Sequence, residues 1–214
     1  MTISYSQTCR ILRQKGYKRL TPRKMPAQKD VNKRSVFQKQ IECIKREPEI
    51  DYWYSDEAGF EGDPMPRRLL CLRGARPIIA YTGNHIRSNV IGAVRPQDGK
   101  FISLIMPYVD TEIFQLFINE LHRYIDQSKR NIIILDNAKW HITQRLDWGL
   151  LEVKYLPAYS PDLNPIEELW LAIKNNFFTW FSAQSHDELD DHLELALKFY
   201  IDQPELVKSI CGGC

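Results

Sequence analysis

The 214-residue chain has no apolar run near the roughly 20 residues that span a bilayer. Its polar start, MTISYSQTCR, lacks a signal-peptide core. These absences lead us to expect a soluble, intracellular protein with no membrane partner. Cysteine is scarce: Cys9, Cys43, Cys71, Cys211 and Cys214 are odd in number and scattered, which argues against a secreted disulfide framework. Only Cys211 and Cys214 form a C-x-x-C, in the terminal CGGC, with no second pair or nearby histidine to complete a zinc site. A frayed tail is the expectation there. Internal repeats and low-complexity tracts are missing too. Acids are nearly absent from the first forty residues, where eleven Lys or Arg face Asp30 alone. That stretch carries +10 and the remainder −8, giving the overall +2.

With 43% apolar residues, the chain has enough material for one packed domain plus an appendage of about forty residues. A basic arm on an acidic body suits a polyanion partner, with binding that weakens as salt rises. A solvated basic tail gives the same pattern, and charge alone does not separate the two.

Residues 4–16 read as a short helix capped by Ser4 or Ser6 and stopped by Gly16, followed by a proline-broken basic linker and a helix from Val31 to Arg46. One basic helix is weak support for a complete helix-turn-helix, which needs a supporting helix in front. IDYWYSDEAGF alternates with period two and predicts a strand ending near Asp56. RRLLCLRGARPIIAYTG and NVIGAVRPQDGKFISLIM predict hairpins turned at 74–77 and 96–99. A helix follows over 110–127, and NIIIL then predicts a central strand buried on both faces. After it come a short helix at 143–148, a short strand LEVKYL, a helix from Pro165 to about Phe178, and a last helix boxed by Ser185 and Glu188. Strands first, then alternating strand and helix, predict an α/β fold with a mixed sheet and helices on its faces.

In such sheets chemistry collects where strands end. Asp56 and Asp136 each close a predicted strand, although aspartate there is also a common turn former. YLPAYSPDLNPIEELW, residues 155–170, supplies a third acid. Asn164 as cap with Glu167 three residues on is a capping box that explains Glu167 without catalysis. Ile166, Leu169, Trp170, Ile173 and Phe177 define the face that packs on the sheet. Glu167 projects about 100° from Ile166, on the shoulder of that face, whereas Glu168 projects about 200° away into solvent. Three converging carboxylates repel one another, and divalent cations are the usual remedy. Oxygen donors without a Cys or His cluster favour Mg²⁺ or Mn²⁺. Two such ions about 4 Å apart activate a water or a 3′-hydroxyl and stabilise the leaving oxygen of a phosphodiester. Trp140, Trp148, Trp170 and Trp180 are expected as packing residues.

SDE at 55–57, ILDNAKWH at 134–141 and YLPAYSPDLNPIEELW, in that order, resemble the DDE transposases of the mariner-type superfamily, most of all the bacterial insertion-sequence-630 group. The resemblance covers residues 50–180 and implies a ribonuclease-H-like fold: a mixed five-stranded sheet flanked by helices, over residues 47–214. It implies Asp56, Asp136 and Glu167 as catalytic metal ligands and Asn137 and His141 as residues that shape the site. Thirty residues separate Asp136 from Glu167, slightly fewer than is usual in the family. Residues 1–46 look like the remnant of a DNA-binding region, with Arg10, Arg13, Lys15, Lys18, Arg19, Arg23 and Lys24 as DNA contacts. Most of that region is missing, which fits either the downstream product of a frameshifted pair, fused to an upstream partner, or a truncated copy.

The activity implied is Mg²⁺-dependent cleavage at terminal inverted repeats and transfer of the 3′-hydroxyl into target DNA at TA, by a nucleoid-associated, cytoplasmic protein, with a homodimer as one arrangement. Two alternatives are a non-enzymatic DNA-binding fragment that regulates a full-length transposase and a stand-alone nuclease on the same fold.

Overall fold

A computed structural model describes residues 4–17, 30–67, 70–72, 74, 76–81, 83 and 85–212. The helix α1 (Tyr5–Gln14) starts at Ser4, whose hydroxyl and backbone form a reciprocal capping box with Gln7, and it buries no residue. Arg10, Arg13 and Lys15 are exposed. Lys18, Arg19, Arg23 and Lys24 lie outside the described residues.

Next comes α2 (Val31–Arg46), capped by the Asp30 carboxylate on the backbone N–H groups of Asn32 and Lys33. Its Phe37, Ile41 and Ile44 are buried in the same apolar cluster as Tyr54 and Leu197. Arg34 donates a forked pair of hydrogen bonds to Asp162 at 3.1 and 2.6 Å. Thus α2 packs as part of the body instead of hanging from it.

The sheet is built from β1 (Ile50–Glu61), β2 (Arg87–Arg95), β3 (Lys100–Met106), β4 (Arg130–Leu135) and β5 (Leu151–Tyr155), in spatial order β3-β2-β1-β4-β5. The pairs β1/β2 and β2/β3 are antiparallel, whereas β1/β4 and β4/β5 are parallel. Helix α3 (Thr111–Leu121) covers one face; α4 (Ile166–Phe177), α5 (His186–Ile201) and α6 (Pro204–Cys211) cover the other. This is the expected mixed five-stranded sheet flanked by helices.

Side-chain alternation sorts the strands cleanly. On β1, Tyr52, Tyr54, Ala58 and Phe60 join the α4 side, while Trp53 joins the α3 side. On β4, Ile132 and Ile134 face α4, and Ile133 and Leu135 face α3. All four isoleucine and leucine side chains are fully buried, as a strand covered on both faces requires.

Several expectations are corrected. The strand carrying Asp56 does not end there: its parallel ladder with β4 stops at Tyr54, but β2 pairs it onward to Glu61. The hairpin expected over 67–83 is not seen among the described residues of that stretch, which lie in no strand. Both edges of β1 are already taken, and Leu70, Leu72 and Ile78 are almost fully exposed, leaving an isolated hairpin no face to bury. Residues 143–148 hold a turn at 144–145 and otherwise irregular backbone instead of a helix. There the Gln115 side chain of α3 satisfies the backbone of Asp147 in both directions, at 2.8 and 3.0 Å. Helix α3 stops at Leu121, where the His122 ring meets the Ile118 carbonyl at 2.8 Å. Cys211 ends α6 and is buried against the Pro165 carbonyl, so it is no frayed tail; Cys214 lies outside the described residues. Trp170 is buried, but Trp140 and Trp180 are exposed.

Two glycines are demanded by the packing. Gly99 closes the β2–β3 turn with φ +77°, and a Cβ there would sit 1.8 Å from the Pro204 carbonyl oxygen. Gly92, the β2 partner of Asp56, lies under Trp170: a Cβ would meet Trp170 Cη2 at 2.6 Å and Phe101 at 3.0 Å. Gly92→Ala should therefore overpack the seat of α4 at a cost of about 1–3 kcal/mol. A melting curve is expected to show Tm lower by roughly 2–4 °C per kcal/mol.

Candidate active site at the ends of the central strands

Asp56 stands on β1 two residues beyond the last parallel pair, Tyr54 with Ile134, and Asp136 follows the last residue of β4. Both have the parity that faces α4. Glu167 is the second residue of α4. With Asn137, Asn164 and Tyr159 these acids line one cleft of about 380 Å³. No Lys, Arg or His is among the described residues lining it.

The start of α4 is fixed differently from the capping box expected. Asn164 does not cap the helix through its side chain; the Asn164 amide donates 3.2 Å to the Ser55 carbonyl, next to Asp56. Ser55 in turn donates 2.9 Å to the carbonyl of Gly92. The amide nitrogen is spent on this tertiary acceptor and the Asn164 N–H goes to the Pro161 carbonyl at 2.8 Å, so the N-terminus of α4 is bolted to β1 and the Glu167 carboxylate is left to the cleft. Glu168 is exposed.

Asn137 donates 2.7 Å to the Leu156 carbonyl and so ties the exits of β4 and β5 together. One oxygen of Asp136, Oδ1, accepts from the Ala138 N–H at 3.0 Å and from His141 Nδ1 at 3.0 Å. Its other oxygen has no hydrogen bond among the described residues. The His141 ring is buried, and its Nε2 donates 2.8 Å to Glu57.

Burial is the largest influence pushing the Asp56 carboxyl up to about 8, and the charges of Glu167, Glu57 and Asp136 add to it. Glu167 is raised as well, chiefly by burial, with Lys174 opposing. Asp136 is lowered, first by its hydrogen bond to His141. Burial alone would lower His141, but its hydrogen bonds to Asp136 and Glu57 outweigh that and hold it at about 9. Asp51, the buried acid at the opposite end of β1, shows the contrast: Arg95 and Lys129 bind it at 2.5 and 3.0 Å. Asp56 has no such cation among the described residues, and three carboxylates that outnumber the one cationic ring behind Asp136 fit a hard divalent ion.

Sequence reasoning missed Glu57. Glu57, Asp136 and His141 each place one donor atom within 4.8 Å of the others. The signal available was the acid directly after Asp56, which alternation sends to the opposite face of β1.

Comparison with known sequences decides the family: the profile of the DDE superfamily endonucleases matches residues 51–190. The chain belongs to that family. This DDE endonuclease is 34% identical over 122 residues to an uncharacterized protein of Sinorhizobium fredii, a match covering 56% of the chain and 90% of the relative. It is 25% identical over 150 residues to the uncharacterized 39 kDa protein of insertion element IS630 from Shigella sonnei, covering 68% of the chain but only 43% of that protein. Its fold matches the Mos1 mariner paired-end complex solved with manganese and with magnesium, with TM-scores of 0.70 and 0.66 and identities of 16% and 17%. Each match covers 99% of the endonuclease and 70% of Mos1. The ribonuclease-H-like fold is thereby the one it shares with the Mos1 structures. No described helix is long and apolar enough to cross a membrane.

Proposed function

We propose that this DDE endonuclease is the catalytic part of an insertion-sequence transposase. It cleaves DNA at terminal inverted repeats and transfers the 3′-hydroxyl into target DNA at TA. The observation that carries the reading is that Asp56, Asp136 and Glu167, from three separate elements, line one cleft with no cationic side chain among its described lining residues.

In this reading the three carboxylates hold Mg²⁺ or Mn²⁺, two ions in all, and Asn137 and His141 shape the site. When bound, the ions supply an activated water or 3′-hydroxyl and a stabilised leaving oxygen. The protein's own share is placement. The Asn164 bond to Ser55 sets Glu167 beside Asp56, and the Ala138 N–H and His141 fix one Asp136 oxygen so that the other points free. The cleft is open on the solvent side, as a DNA substrate requires.

The exposed Arg10, Arg13 and Lys15, together with Lys18, Arg19, Arg23 and Lys24, serve as phosphate contacts on the arm. Because α2 packs into the core, we place the boundary of the catalytic domain before α2 instead of after residue 46. A homodimer and a fused upstream DNA-binding segment complete the arrangement, in a nucleoid-associated protein.

The test is strand transfer from a duplex bearing the element's own inverted repeat, in Mg²⁺. Cleavage and joining that depend on the repeat are expected. Repeat-dependent binding with no cleavage in Mg²⁺ or Mn²⁺ would refute the proposal. Deleting residues 1–17 should weaken binding and lower its salt slope while leaving Mn²⁺ affinity unchanged.

A further inference from the structure

We propose that Glu57 is a positioning residue, which fixes the metal-holding carboxylate of Asp136 from the far side of the sheet through the His141 ring. This inference rests on the reading of the cleft given above and extends it to a residue outside the cleft.

Along β1, Asp56 and Glu57 project to opposite faces. Asp56 shares the α4 face with Tyr54 and Ala58, whereas Glu57 pairs with Ile91, whose side chain packs on the α3 side. Glu57 and His141 accordingly do not line the cleft, although Asp136 does. The His141 ring connects the two sides around the end of β4. Its Nε2 donates to Glu57 Oε1 at 2.8 Å and its Nδ1 to Asp136 Oδ1 at 3.0 Å.

The ring itself is locked. Only 1% of the His141 side chain is exposed, and it packs against Phe114 with ring planes tilted by 46° and centroids 4.4 Å apart. The Tyr155 hydroxyl donates 2.9 Å to its carbonyl. Glu57 Oε1 also accepts from the Trp140 indole N–H at 3.2 Å, which explains why this exposed tryptophan is held at the site.

A chain from Glu57 through His141 to Asp136 has the form of an outer-shell support for a ligand. It consumes one oxygen of Asp136, sets the plane of the carboxylate and leaves the other oxygen for an ion. Loss of such partners typically costs 10–100-fold in metal affinity. Direct coordination by His141 is the competing arrangement, because its nitrogen and the two carboxylates lie close enough to share an ion. The geometry disfavours it, since both ring nitrogens already face carboxylate oxygens.

Mn²⁺ binding to the full chain, followed by electron paramagnetic resonance with echo-modulation detection of nitrogen, tests this. Glu57→Ala is expected to weaken Mn²⁺ binding by about 10–100-fold. Glu57→Asp, which keeps the charge but shortens the reach, should weaken it too and serves if the alanine variant fails to fold. Glu57→Gln keeps an oxygen at the right reach and should recover affinity to within about threefold of the parent. No nitrogen modulation is expected in the parent protein. Nitrogen modulation would overturn the inference by making His141 a ligand, and so would unchanged affinity in Glu57→Ala and Glu57→Asp. Asp136→Asn separates the two levels: if it weakens binding while the Glu57 variants do not, only the role of Glu57 fails. If Asp136→Asn also leaves affinity unchanged, the metal reading of the cleft fails with it.

Discussion

Asp136→Asn and Glu167→Gln are each expected to lower DNA cleavage by about 10³-fold or more, while Glu168→Gln leaves it within about twofold. A carboxylate that holds a catalytic ion contributes several kcal/mol of transition-state stabilisation, and each 1.36 kcal/mol is a factor of ten. Both changes are nearly isosteric, and both sites are open to solvent, so the fold should survive them. Single-turnover cleavage of a repeat-bearing duplex, alongside a melting curve, reads the effect. The adjacent glutamate is the control. Glu167 and Glu168 are neighbours on the first turn of α4, yet only Glu167 lines the cleft.

Asp56→Asn is expected to abolish activity and at the same time stabilise the metal-free protein. Folding raises the Asp56 carboxyl from its ordinary 3.8 to about 8, chiefly by burial and then by the charges of Glu167, Glu57 and Asp136. A raised acid favours the fold while it is protonated, so its contribution is fully present below about pH 3.8 and is lost as pH rises through about 8. Without metal, the parent should lose stability across that window, and the asparagine variant should lose less. At pH 8 the difference should reach several kcal/mol, with Tm moving roughly 2–4 °C for each. Near pH 4 it should almost vanish. Adding Mg²⁺ should raise the Tm of the parent and leave that of the variant nearly unmoved, because a ligand of the folded state stabilises by mass action. A variant less stable than the parent at pH 8 without metal would contradict the repulsion on which the site is built.

Much of this architecture was legible in the sequence because its strongest signals are long and periodic. NIIIL admits little but a strand buried on both faces, and the apolar stripe of α4 orients Glu167 before any tertiary contact is known. The failures share a cause as well. The hairpin over 67–83 had good turn residues, but β1, the strand it follows, is already paired on both edges, and pairing is a property of the finished sheet. The helix at 143–148 was displaced by Gln115, a partner 32 residues away. Asn164 with Glu167 is a sound capping box locally, yet the Ser55 carbonyl, 109 residues distant, takes the asparagine side chain instead. The role of Glu57 was hidden because nothing local pairs it with His141, 84 residues on. Basic composition groups α2 with the arm, while its Phe37, Ile41 and Ile44 are buried in the core cluster, a contact that composition does not register.

The central claim is that Asp56, Asp136 and Glu167 form one divalent-cation site. Mn²⁺ affinity of the parent, Glu167→Gln and Glu168→Gln, measured by electron paramagnetic resonance at neutral pH, tests it most directly. The account predicts that Glu167→Gln weakens binding at least tenfold and that Glu168→Gln does not change it. Equal affinities in all three proteins, or a loss confined to Glu168→Gln, would contradict it.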